Sequence, residues 1–205
     1  MTTGRSSSHQ ASILMNAPLL DFIRAHSSMS EVMQATVAGH FKPMTLTAGE
    51  HLLKAGSVSD RYLVVAQGWL RSYTHDAQGD EVTTGFFGPG SAVFDVDSFF
   101  MRTPSRENIV ALTDVGGAEI DFDGLNGLFH AYPEFREMGR MVLVKGFVAL
   151  KQRMLAQIDR TAEQRYADLM RTRPELFQVA PLKHIASFLG ITDTSLSRIR
   201  REHLR

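Results

Sequence analysis

The residues best equipped for chemistry lie at the end of the chain, in PLKHIASFLGITDTSLSRIRREHLR, residues 181–205. Leu182, Ile185, Ala186 and Leu189 share one helical face, and Gly190 suits the left-handed cap that would close that helix. Ile191 then reads as a buried turn residue, Thr192 as the cap of a second helix, and Leu196 and Ile199 as its inward positions. What is left faces outward: Asp193, Thr194, Ser195, Ser197 and Arg198, followed by Arg200, Arg201 and Arg205. Helix, glycine-containing turn and second helix form the arrangement whose second helix enters the DNA major groove, its N-terminal residues facing base edges. Small hydroxyls keep such a helix slim, an arginine can grip guanine with two hydrogen bonds, and later arginines can neutralise phosphates. A plain helical hairpin with a solvated basic tail would carry the same charges. The Ala186, Gly190 and Ile191 spacing, with Thr192 as cap, favours the DNA-reading form.

Other chemistry has less support. Asp95, Asp97 and Arg106 read either as an anion or polar-ligand site or as a solvated loop with an internal ion pair. The absence of cysteine excludes thiolate clusters, cysteine zinc sites and cysteine nucleophiles. The eight histidines form no H-x-H or H-E-x-x-H pattern, and His40, His51 and His75 read as surface residues. GFFGPG lacks the lysine and glycine spacing of a phosphate loop. With no nucleophile and base that spacing brings together, neither an enzyme nor a metal or cofactor is expected.

The rest of the chain must position that C-terminal segment. Its 205 residues allow one large domain or two small ones, and 43% apolar content is that of an ordinary globular protein. The net charge of zero hides a split: residues 151–205 hold eleven basic and six acidic side chains, so the remainder is acidic. Residues 1–17 are Ser- and Thr-rich and read as disordered. A helix is expected from Pro18 to about His40, with Ser27–Ser28 as a break point. From Phe41 to Asp121 short apolar runs alternate with glycine turns, which predicts many short strands and a closed roll. Trp69 reads as a core residue of one such strand. Pro133 opens a long helix with Phe135, Met138, Met141, Val142, Val148 and Leu155 on its apolar side. That side is broader than a small roll can cover, so a second copy of the helix is expected to cover the rest. Thr161 and Gln164 predict a capping box for the next helix, which Arg173-Pro174 ends. No apolar run approaches the roughly 18 residues of a membrane span, and the first residues lack a signal peptide's apolar core. A cytoplasmic protein without a membrane partner is expected.

LLKAGSVSDRYLVVAQGWLRSY, DAQGDEVTTGFFGPGS, TAEQRYADLM and HIASFLGITDTSLSRIR together resemble the cyclic AMP receptor protein and fumarate–nitrate regulator (Crp/Fnr) superfamily of bacterial transcription factors. The similarity runs over roughly residues 30–205. It implies an α+β chain: a jelly-roll-like, double-stranded β-roll sensor with flanking helices (18–132), a dimerisation helix (133–160) and a helix-turn-helix domain (161–205). It implies a homodimer reading a near-palindromic DNA site, and it brings RNA polymerase into view as a further partner. The rival reading is a ligand-binding or protein-interaction module without a DNA role. By the resemblance Asp193, Thr194 and Arg198 take base-reading positions, with Thr192, Ser195, Ser197, Arg200 and Arg201 beside them. Relatives usually continue into a two-stranded wing, which is expected here to be truncated or absent after Arg205. The family's nucleotide cassette has Gly-Glu and then an arginine; here Phe94-Asp95 and Ser105 stand at those positions, with Arg106 one residue later. Val96, Asp97, Ser98 and Lys151 complete the candidate ligand set, with Leu150 and Lys151 where relatives have hydroxyls that meet adenine. These departures argue against cyclic AMP and leave the effector, if there is one, unidentified.

Overall fold

The structure, a computed structural model, describes residues 17–203. The expectations for residues 1–16 and for Arg205 lie outside the described residues, and Ala17 is already helical. The first predicted helix is two: α1 (residues 17–26) and α2 (Glu31–Ala38). The break falls at the serines because their side chains compete for backbone groups. Ser27 donates to the Ile23 carbonyl at 2.8 Å, and Ser30 caps α2 by accepting from Met33 N–H.

Eight strands follow: β1 (Lys42–Leu46), β2 (His51–Leu53), β3 (Arg61–Gln67), β4 (Leu70–His75), β5 (Glu81–Phe87), β6 (Ala92–Val93), β7 (Asn108–Ala111) and β8 (Val115–Asp121). They pair antiparallel in two four-stranded sheets, ordered β1-β8-β3-β6 and β2-β7-β4-β5. Leu63 and Val65 point between the sheets, where they meet Met44, Leu70, Ile109 and Val115. Tyr62 and Val64, on the opposite face of β3, pack under α1, α2 and the helices α3 (Val96–Met101) and α4 (Phe122–Ala131). That double coverage is why the run YLVV is apolar throughout instead of alternating. Gly68 sits at φ +83°, and a Cβ there would meet the Asp114 carbonyl oxygen at 2.1 Å, so the turn into β4 admits only glycine.

Helix α5 (Pro133–Asp159) begins on the proline, as expected. Its first turns belong to the core: Phe135 and Met138 are buried among Leu125, Leu128 and Phe99. This corrects their assignment to the seam, because side chains already enclosed by their own fold cannot meet a partner. Met141 and Val142 are half-buried. Beyond them Val144, Phe147, Val148, Leu150, Met154, Leu155 and Ile158 are exposed, Ile158 to 76%. The C-terminal part comprises α6 (Ala162–Thr172), a short α7 (Leu176–Val179), α8 (Leu182–Leu189) and α9 (Asp193–His203). The capping box at Thr161 and Gln164 is formed in both directions.

Trp69 is half-buried and not a roll-core residue, since it packs instead against the cluster that holds α6, α8 and α9 together. The same cluster takes Phe86 from β5, so the C-terminal helices dock on the outer face of the second sheet. Among the described residues no helix is long and apolar enough to cross a membrane.

Candidate nucleic-acid interface

Two helices and one turn set the position of the outward C-terminal residues. Gly190 adopts φ 69°, and its N–H reaches back to Ala186 and Ser187 carbonyls while Ile191 N–H bonds Ala186 O at 3.0 Å. Thr192 Oγ1 accepts from Ser195 N–H at 3.2 Å and donates to Ser195 Oγ at 3.0 Å, which caps α9. Leu196 and Ile199 are buried against Ile185, Ala186 and Leu189, so α9 cannot rotate without opening this core.

That anchoring leaves Thr192, Asp193, Thr194, Ser197, Arg198 and Arg201 exposed on one surface, with Ser195 and Arg200 half-buried beside them. The sequence-expected group is therefore gathered on one face. Thr192 and Ser195 differ from the rest because their hydroxyls already bond each other. The Arg198 guanidinium lies 3.6 Å from Glu163 on α6 and 3.4 Å from Glu202 one turn on. Both contacts are solvent-exposed and weak, so a guanine edge or a phosphate can displace them.

The candidate ligand residues are treated differently by the fold. Asp95 caps α3 through Ser98 N–H and accepts from Ser105 Oγ at 2.5 Å. Ser105 also bridges to Glu107, donating to its carbonyl and accepting from its N–H. Ser98 accepts from Ser59 N–H at 2.8 Å and donates to Thr103 O at 2.6 Å. Phe94 packs among Tyr62, Phe99 and Phe100. Asp95, Ser98 and Ser105 thus converge, but on one another. Val96, Asp97, Arg106 and Lys151 are exposed and take no part in that convergence.

Sequence reasoning missed two networks. Arg71, buried on β4, donates to Thr83 Oγ1 at 2.9 Å and to Glu81 Oε2 at 2.7 Å, and its Nη1 lies 3.4 Å from His184 Nε2 on α8. The hydrogen bond from Arg71 holds the Glu81 carboxyl below its usual range. Burial, then the Arg71 charge, push His184 down to about 4. Ser187 accepts from Thr83 N–H at 2.9 Å, completing the α8–β5 contact. The second network comes from α5, where Arg153 donates to the carbonyls of Thr83 and Thr84 and lies 4.1 Å over the Phe188 ring. Nearby Glu107 is half-buried, and desolvation raises its pKa. An arginine among apolar strand residues was the only clue to the first network, and spacing offers none to the second. Among the described residues no group of three or more His, Asp or Glu is placed to hold a metal.

Comparison with known proteins agrees with this architecture. Residues 43–132 match the family model of the cyclic nucleotide-binding domain. The fumarate and nitrate reduction regulatory protein of Escherichia coli K12 is 30% identical over 164 residues, covering 74% of this chain and 64% of that protein. Its Yersinia pestis counterpart is 29% identical over the same shares. The alignment therefore spans less than two thirds of these relatives' own length. Among solved structures, FixK2 from Bradyrhizobium japonicum superposes with a TM-score of 0.66 at 17% identity, over 79% of this chain and 83% of that one. A CooA variant from Carboxydothermus hydrogenoformans gives 0.61 at 16%, over 82% and 78%. Residues 43–132 thus carry a cyclic nucleotide-binding-type domain, and the chain as a whole is similar in sequence and fold to Crp/Fnr regulators.

Proposed function

We propose that the protein is a homodimeric, sequence-specific DNA-binding transcriptional regulator, with residues 161–205 reading DNA and the exposed stretch of α5 joining two copies. The observation that carries the reading is α9: a helix anchored by Leu196 and Ile199 whose opposite face is a largely exposed row of hydroxyls, one carboxylate and arginines. Only the part of α5 beyond Val142 is free to form the seam, so Phe147, Val148, Leu150 and Leu155 carry it in place of Phe135 and Met138. Two recognition helices related by a two-fold axis read half-sites about one DNA turn (roughly 34 Å) apart. Asp193 and Thr194 at the head of the helix set a base preference of their own, because a carboxylate accepts from cytosine and a threonine methyl meets thymine.

Selection of bound duplexes from a random pool, with the purified full-length protein at fixed moderate salt, tests this. Enrichment of a near-palindrome is the expected result. Failure to enrich any sequence, both in the protein alone and with a small-molecule cell extract added, overturns it and leaves the β-roll as a binding module.

A further inference from the structure

We propose that the pocket between the β5–β6 turn and the α6–α7 link binds an α-amino acid with an apolar side chain. The pocket has a volume of about 420 Å³. Trp69, Pro89 and Ser91 line it from the roll, and Arg173 and Glu175 from the link. It takes no residue from α5 or from the Asp95–Ser105 region, and binding there is independent of any DNA role.

Both walls are fixed by backbone contacts. Ser91 N–H bonds Gly88 O at 3.1 Å and Gly90 takes φ +80°, so Pro89-Gly90 forms a closed turn. Gly88 brings that turn directly against the indole, since a Cβ there would meet the Trp69 ring at 2.8 Å. Across the pocket, Arg173 N–H bonds Leu169 O at 2.8 Å, and Arg173 Nη1 donates to Phe86 O at 2.9 Å. A carbonyl dipole orients this cation without neutralising it, and among the described residues no carboxylate lies within ion-pair distance. Desolvation lowers the Arg173 pKa, with no neighbouring carboxylate acting the other way. Glu175, two residues on, is exposed and makes no capping bond at the start of α7. Among the described residues its carboxylate, the Ser91 hydroxyl and the Trp69 indole N–H meet no partner.

Charge and shape narrow the ligand. A simple carboxylate would satisfy Arg173 and leave Glu175 unpaired, and an amine would do the reverse. An α-amino acid carries both charges on one carbon, which suits two side chains separated only by Pro174. The indole N–H and the Ser91 hydroxyl can share the ligand carboxylate with Arg173. Its side chain then lies against Trp69 and Pro89, where an apolar group leaves water and an aromatic ring can pack on the indole. Occupancy would fasten the roll to the C-terminal helices at a second point besides the α8–β5 contact.

The test is titration of the full-length protein with L-phenylalanine, L-leucine, L-phenylalanine amide and N-acetyl-L-phenylalanine. Binding is read by calorimetry and by the emission of Trp69, the only tryptophan. A free amino acid should bind saturably and change that emission, and the amide and N-acetyl forms should each bind about tenfold more weakly. Glu175→Gln should weaken the free amino acid about tenfold and leave N-acetyl-L-phenylalanine unchanged. Arg173→Gln should weaken both, and Arg173→Lys should restore part of the binding. Thermal unfolding without ligand checks the Arg173 variants. Should they fail to fold, Glu175→Gln carries the test, because its exposed carboxylate holds nothing in place. Absence of saturable binding of both free amino acids, derivatives that bind as well as L-phenylalanine, or unchanged affinity in Glu175→Gln overturns the proposal. Because no DNA is present, failure of the DNA-reading function leaves this outcome unaffected.

Discussion

The convergence of Asp95, Ser98 and Ser105 and the outer face of α9 are both polar, and both contain residues suited to ligands, yet the fold uses them in opposite ways. Around Asp95 every hydroxyl has a partner within the chain, and Ser98 and Ser105 are buried. On α9 most polar groups are exposed, with Ser195 and Arg200 half-buried, and Arg198 is held only by two loose carboxylate contacts. Hydrogen-bonding capacity spent internally supports folding, while capacity left at the surface is available for recognition. Residue type does not separate the two regions; the state of their partners does.

The largest expected effect comes from breaking the internally satisfied side. Asp95→Ala removes the α3 cap and leaves the buried Ser105 hydroxyl without its carboxylate. Urea unfolding should show a loss of about 2–4 kcal/mol. The folded variant should still bind selected DNA with unchanged affinity. A stable Asp95→Ala protein with altered DNA response would mean that this region senses something after all, and the contrast would collapse.

Much of this contrast was legible beforehand on one side only. The α9 face followed from helical spacing, because Gly190, Thr192, Leu196 and Ile199 fix the rotation of the helix by local rules. That there are many short strands divided by glycine turns followed likewise from short-range pattern. The Asp95–Ser105 bond joins residues ten apart across a helix and a loop, and no local rule brings them together. Arg153 meeting Thr84 spans 69 positions, and Arg71 meeting His184 spans 113. Phe135 and Met138 were misplaced for a related reason. Apolar spacing shows which side of a helix avoids water, but not whether the fold or a partner covers it.

A smaller effect sharpens the exposed side. Arg198→Ala should cost about 1–3 kcal/mol in binding to the selected duplex and relax preference at one position per half-site. Its stability should stay within about 0.5 kcal/mol of the parent, since only exposed ion pairs are lost. Arg200→Ala and Arg201→Ala give the internal control. They should weaken all sequences alike and reduce the salt dependence of binding by about one unit each. Equal loss on every sequence for Arg198→Ala would move that residue from base reading to phosphate contact.

The smallest effect lies where the two regions meet, at the α8–β5 contact. There His184 faces Arg71 and Glu81 from the roll, with Lys183 and Asp193 from its own end of the molecule. Its docked pKa of about 4 lies below the usual 6.5, so the docked form binds protons less readily than the undocked one. Stability from this group is complete above about pH 6.5 and is lost as pH falls from there toward 4. Glu81, also held low, adds a loss in the same direction at the acid end of that range. Partial solvent exposure of the imidazole screens the effect, leaving about 1 kcal/mol. Trp69 fluorescence followed from pH 7 to pH 4 should report α8 loosening from the roll, with the upper part of the transition absent in His184→Gln. The glutamine stays neutral across the range while keeping a side chain of similar reach beside Arg71. A transition that persists unchanged in that variant would transfer the pH response to Glu81. The junction would then respond to loss of the Arg71 ion pair instead of to a new charge on α8, so that acid loosened it from the roll side.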